Sequence, residues 1–241
     1  MKRFVRVFAP LAGLIGSVAG LAVLIWRKVL APQRSRPLDA GQRLERPVAI
    51  PREAQGGGLQ LPADGVGPLY HRVYRADIAD AERSPEEIMR EVQLNLSDFS
   101  PDALAKFDKA EERRSMRVGD EYDITILGPW NGSVRVIDVQ PTSFALVTLE
   151  GHPEAGEIRF ELARHPDIAG ALRFEIHSWA RSRDAWVQVT YRDLKLGQQA
   201  QQNTWVVFCQ RVAEASGGSL MGEIEVSTDE QPFRREVIAH E

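Results

Sequence analysis

Two stretches of this chain alternate apolar and charged residues strictly, and they set the frame for the rest. Glu157-Ile158-Arg159-Phe160-Glu161-Leu162 and Leu172-Arg173-Phe174-Glu175-Ile176-His177 each carry the period-two pattern of a half-buried strand. Between them, Arg164 to Gly170 holds Pro166, Asp167 and Gly170, the residues of a turn. A hairpin is predicted. Charge suggests its register: Ile158 opposite Ile176, Phe160 opposite Phe174 and Leu162 opposite Leu172 would set Glu157 against His177, Arg159 against Glu175 and Glu161 against Arg173. Each favourable cross-strand pair contributes roughly 0.2–1 kcal/mol, whereas a slip of two residues would oppose Glu161 and Glu175.

The same reading extends along the chain. Leu69 to Ile78, rich in Tyr and Val, predicts a strand. Ser84-Pro85-Glu86-Glu87 is a capping box with proline at the first helical position, and Ile88, Val92 and Leu96 continue an apolar stripe. Ser100-Pro101-Asp102 predicts a second helix with Leu104 and Phe107 facing inward. Glu121–Leu127, Gly132–Val139 and Ser143–Leu149 read as strands separated by Gly and Pro turns, and Trp186 to Tyr191 as a further strand. Gln198 to Ala215 reads as a long helix, with Trp205, Phe208, Cys209 and Val212 at helical spacing and Gly217-Gly218 ending it. Successive strands followed by one long helix give an α+β domain built on an antiparallel sheet.

The N-terminus follows another pattern. Val7 to Trp26 holds no charged residue, and twenty residues of helix span about 30 Å, the thickness of a bilayer core. This predicts a single-pass anchor. A cleaved signal peptide would have a shorter apolar core, and its one plausible site, Val29-Leu30-Ala31, is followed by Pro32. Ala12, Gly16 and Gly20 recur every four residues and would let a second copy approach closely, as a homodimer contact. Lys2, Arg3 and Arg6 precede the span and six basic residues follow it by Arg46, a balance that favours a cytoplasmic domain. The predicted organisation is an anchor at 1–30, a Pro/Gly/Arg-rich linker at 31–64, a folded domain at 65–216 and a mobile acidic tail at 217–241, with Glu223 to Val226 readable as a short strand.

Charge narrows the partners. Residues 1–46 hold nine basic against two acidic residues, a net +7, which leaves −11 for residues 47–241 within a total of −4. So acidic a domain does not suit nucleic acid. The single cysteine, Cys209, excludes an internal disulfide and reads as a core residue.

Thr148 to Phe160, with Gly151-His152-Pro153-Glu154-Ala155-Gly156-Glu157 at its centre, followed by Phe174-Glu175-Ile176 and Ser178 to Arg181, resembles the signature of the DUF1990 family. The resemblance covers about residues 66–215. It implies a START-like, Bet v 1-like helix-grip domain, in which a curved antiparallel sheet wraps a long C-terminal helix and encloses an apolar cavity. It implies no activity.

The candidate chemistry centres on His152, Glu154, Glu157 and His177, two imidazoles and two carboxylates that could hold a divalent metal or supply a general base and acid if the Gly151–Gly156 loop folds back over the hairpin edge. A tight structural loop explains the same residues, with Glu157 and His177 as a cross-strand pair. No phosphate-binding loop, HExxH, paired CxxC or GxSxG is present, and no metal or cofactor is called for. The reading the sequence favours is a non-catalytic, membrane-anchored domain that binds an apolar small molecule or lipid against Phe144, Phe160, Phe174, Ile176, Trp205 and Phe208. The alternatives are an enzyme using His152, Glu154 and Glu157 at the cavity mouth, and an envelope assembly partner without ligand.

Overall fold

A computed structural model describes residues 33–36, 50–101, 105–109, 115–126, 131–185, 187 and 196–232, all within the unit Pro32–Glu241. The expected anchor at 7–26, with Ala12, Gly16 and Gly20, lies outside the described residues, as do Leu104 and nearly all of the expected strand 186–191. Among the described residues no helix is long and apolar enough to cross a membrane.

Among the described residues ten strands form one sheet, antiparallel except for one parallel pair at its edge. They are β1 (Gln33–Arg36), β2 (Val66–Ala79), β3 (Ala105–Lys109), β4 (Glu121–Ile126), β5 (Asn131–Gln140), β6 (Ser143–Thr148), β7 (Glu154–Arg164), β8 (Leu172–Ser182), β9 (Ser219–Leu220) and β10 (Ile224–Gln231). The order is β1-β10-β2-β8-β7-β6-β5-β4-β3, with β9 paired to β2 beside β10. Among the described residues the strands are joined by the α-helices α1 (Pro85–Leu94), α2 (Leu96–Phe99) and α3 (Leu196–Ala215). At the start of α1, Ser84 Oγ accepts from the Glu87 N–H and the Glu87 carboxylate accepts from the Ser84 N–H, the reciprocal cap its sequence predicts.

The predicted second helix is displaced. Ser100 ends α2 instead of starting a helix, and Phe107 sits on β3, where it is buried opposite Ile124. The Ser97 hydroxyl donates to the Phe107 carbonyl, so α2 holds the edge strand that the sequence reading missed.

The hairpin forms, but in the register that charge argued against. Phe160 pairs with Ile176, Leu162 with Phe174, Arg159 with His177 and Glu161 with Glu175. The reason lies on the next strand. Glu175 faces Arg75 of β2 and is bridged by it at 2.6 Å, Arg173 faces Asp77 and is bridged at 2.7 Å, and Arg159 turns to Glu161 along its own strand at 3.3 Å. Burial alone would raise the Glu175 carboxyl, yet His177 and Arg75 hold it down at about 2, so it stays a carboxylate beside Glu161. Because the slip is two residues, the apolar row keeps its face.

That row covers the concave side, against α3. Phe144 stacks on Phe160 at 4.4 Å between ring centroids, and Phe208 of α3 meets Phe160 at 5.1 Å and Phe174 at 5.9 Å. The convex side is covered too. Ala54, Ile137, Ala145 and Val147 pack there with Ile50, Leu59, Leu61 and Val118. Residues 50–64, which composition assigns to a linker, thus lie folded on the sheet. The acidic tail is likewise built in: β10 runs along β2 over Glu225 to Gln231, and Arg34 of β1 pairs with Glu225.

Candidate functional site

The Gly-His-Pro-Glu loop joins β6 to β7 and is fastened from three sides. Gly151 takes a left-handed φ of 96°, which turns the chain so that His152 points back under the sheet edge. There the ring lies against Gly132 of β5 so closely that a Cβ at 132 would sit 2.4 Å from His152 Cδ2. His152 Nδ1 lies 3.0 Å from both the N–H and the carbonyl oxygen of Glu154, so the ring is held against its own loop backbone. Gln60, itself buried, donates from Nε2 to the carbonyls of His152 at 2.8 Å and Glu154 at 2.7 Å. Thr148 Oγ1 accepts from the Gly156 N–H at 2.9 Å and donates to the Gln60 carbonyl at 2.8 Å. Arg183 closes the far side, donating from Nη1 to the Gly151 carbonyl at 2.7 Å. Burial pushes the His152 imidazole below its ordinary 6.5, against the opposing pull of Glu154.

The four candidate catalytic residues do not converge. His152 is committed to the loop backbone. Glu154 lies on the concave side, where its carboxylate pairs with Arg72 Nη1 at 3.3 Å. Glu157 faces the convex side, opposite Trp179 of β8 and Val147 of β6 on one rung. His177 is also convex and buried, five residues along the ladder from Glu154's partner Ser182, roughly 16 Å at the strand rise. It stacks near His71 and Trp179, with His71 Nε2 at 3.4 Å from His177 Nδ1. The expected pair of Glu157 with His177 is therefore replaced by Arg159 opposite His177. Among the described residues no three His, Cys, Asp or Glu gather as a metal site would need.

The candidate ligand residues do share one face. Phe144, Phe160, Phe174, Ile176 and Phe208 are wholly shielded from solvent, and Trp205 nearly so, its ring edge-on to Phe160 at 5.6 Å. Toward the other end of the same face the cover thins: Ile158, Thr148, Tyr70 and Glu154 are only half-buried. Alternation along β2 and β8 puts Tyr70, Arg72 and Tyr74 beside Ala180, Ser178 and Ile176 on that face. Burial pushes the Tyr74 hydroxyl and the Cys209 thiol far above their ordinary values, so both stay neutral.

Sequence reasoning passed over Arg72, Ser178 and Gln60. The first two carried a signal: each is the polar member of an otherwise apolar every-second-residue row, Tyr74-Ala76-Ile78 and Leu172-Phe174-Ile176. Gln60 carried none, since it belongs to a segment with no periodicity.

These features define an α+β domain of the helix-grip arrangement, an antiparallel sheet closed over a C-terminal helix, with a partly open concave face. The model of the domain of unknown function DUF1990 matches residues 64–207, and the chain belongs to that family. Solved structures also align. Norcoclaurine synthase from Thalictrum flavum, in complex with dopamine and hydroxybenzaldehyde, is 13% identical, with 66% of this chain and 94% of that one covered at a TM-score of 0.44. A conserved protein from Geobacillus kaustophilus is 12% identical, with 62% and 98% covered at 0.42. No curated protein matches the chain.

Proposed function

We propose that this protein is a membrane-tethered, non-catalytic binding domain whose concave face takes up an apolar small molecule or lipid. The observation that carries the reading is the division of that face. One half is a closed aromatic packing of Phe144, Phe160, Phe174 and Phe208, and the adjoining half, at Ile158, Thr148 and Tyr70, is incompletely covered. An apolar surface of this kind, next to a rigid aromatic floor and a few polar groups, suits an apolar ligand with a polar end. Trp205 and Phe160 would form the boundary it rests against.

Catalysis at His152 has less support, because Nδ1 is held by the Glu154 backbone and the Glu154 carboxylate is paired with Arg72. The anchoring part of the proposal rests on the uncharged run 7–26 and the basic residues that flank it, which favour a cytoplasmic domain.

The test is native mass spectrometry, with lipid extraction, on the full chain released from nanodiscs. An apolar species of defined mass that stays with the protein supports the proposal. A compact, empty chain overturns it.

A further inference from the structure

The concave face carries polar groups that an apolar pocket does not need. Arg72 and Glu154 form their ion pair with only 10% and 14% of the side chains exposed. Burying two charges costs several kcal/mol per ion, so such a pair is poorly explained by stability alone. The Arg72 guanidinium also lies over the Tyr70 ring at 5.0 Å, which fixes its direction. Ser178, the ladder partner of Arg72, is 4% exposed, and its hydroxyl has no hydrogen-bond partner. The indole N–H of Trp205 is buried without a partner as well.

These groups belong to one neighbourhood. Arg72, Ser178 and Ile158 form a single rung across β2, β8 and β7. The next rung, about 7 Å away, holds Ile176 and Phe160, and Phe160 is the ring that Trp205 touches. An unpartnered buried donor costs about 1–3 kcal/mol, and an indole can only donate. Guanidinium and hydroxyl, on the same rung, are therefore two donors around a positive centre. Their complement is an anionic oxygen. Glu154 supplies one from the chain itself, at 3.3 Å, with 14% of its side chain open to solvent.

We propose that the concave face binds a long-chain monocarboxylate, whose carboxylate takes the place of Glu154 on Arg72 and accepts from the Ser178 hydroxyl. Its hydrocarbon chain runs past Ile158 toward Trp205 and Phe160. The site rests on the reading above, that this face takes an apolar ligand, and adds the identity of the ligand's head. Glu154 is then a competitor for the same guanidinium, and the ligand carboxylate displaces its 3.3 Å contact.

The test is equilibrium binding of radiolabelled hexadecanoate, and of its methyl ester, to the full chain in phosphatidylcholine nanodiscs, with empty nanodiscs as the blank. Arg72→Met should weaken hexadecanoate at least tenfold, Glu154→Gln should strengthen it severalfold, and neither should change ester binding more than twofold. The gain in Glu154→Gln cannot come from misfolding, which guards against a damaged Arg72 variant. If the ester binds but neither substitution alters hexadecanoate, or if Glu154→Gln weakens it as Arg72→Met does, the head site is refuted and the apolar-ligand reading stands. If the wild-type chain binds neither compound, both fall.

Discussion

Gly132→Ala tests the packing on which the Gly-His-Pro-Glu loop depends. The added methyl would meet His152 Cδ2 at 2.4 Å, Cγ at 2.8 Å and Cα at 2.9 Å, so no small rotation of the ring relieves it. Either β5 moves away from the loop or the imidazole leaves its place. Overpacking of this kind costs about 1–3 kcal/mol. Expelling the ring also breaks the hydrogen bond between Nδ1 and the Glu154 backbone, which contributes about 1 kcal/mol. A loss of about 2–4 kcal/mol corresponds to roughly 5–15 °C in Tm for a domain of this size. The assay is thermal unfolding of the full chain in detergent, followed by circular dichroism, for Gly132→Ala, His152→Ala and the double variant. His152→Ala alone lowers Tm as well, because it empties a buried site. In the double variant the two ring contacts are gone and only the 2.9 Å approach to the Cα of residue 152 remains, so Gly132→Ala should cost clearly less on the His152→Ala background than in the wild type. An unchanged cost there would refute the clash as the cause.

Three further outcomes follow from the same geometry. The His152 imidazole is held below its ordinary 6.5 by burial, so the folded chain binds fewer protons than the unfolded chain; stability is complete above that value and falls as pH drops through it, and urea titrations at pH 7.5 and 5.5 should show a larger loss in wild type than in His152→Gln. Gln60→Ala removes both donors to the His152 and Glu154 carbonyls, so it should cost about 2 kcal/mol and raise amide exchange across residues 149–156, whereas a free linker residue would change neither. Ile224→Asp puts a charge at a fully buried position of β10 and should abolish the cooperative transition, whereas a mobile tail would leave Tm unchanged.

What the chain discloses before folding depends on how local the cause is. The α1 cap and the strands β4 to β8 were legible because each is specified by neighbours in sequence: Ser84 with Glu87, and the alternation through Phe160 and Phe174. The hairpin register was not, because the partners of Glu175 and Arg173 are Arg75 and Asp77, on a strand almost a hundred residues away in sequence. Residues 50–64 were misread because their hold on the domain comes from Gln60 and a few scattered apolar contacts, with no period to see. A hint lay on the other side of that contact: Phe144-Ala145-Leu146-Val147 is apolar without alternation, as a strand covered on both faces must be. The loop signature was visible as a motif, but its role was not, since only the placement of Gly132 shows that His152 serves as a wedge.

The position of β10 bears on how the protein is made. β2 is flanked by β8 and β10, so both of its edges wait for strands synthesised much later. Until then a fourteen-residue strand rich in Tyr and Val presents unsatisfied backbone groups on each side, the kind of template on which other chains pair and aggregate. Folding is therefore dominated by contacts distant in sequence and is correspondingly slow. The cell must shield β2 during translation, and faster synthesis or scarce chaperone would lower the yield of folded protein before any ligand is involved.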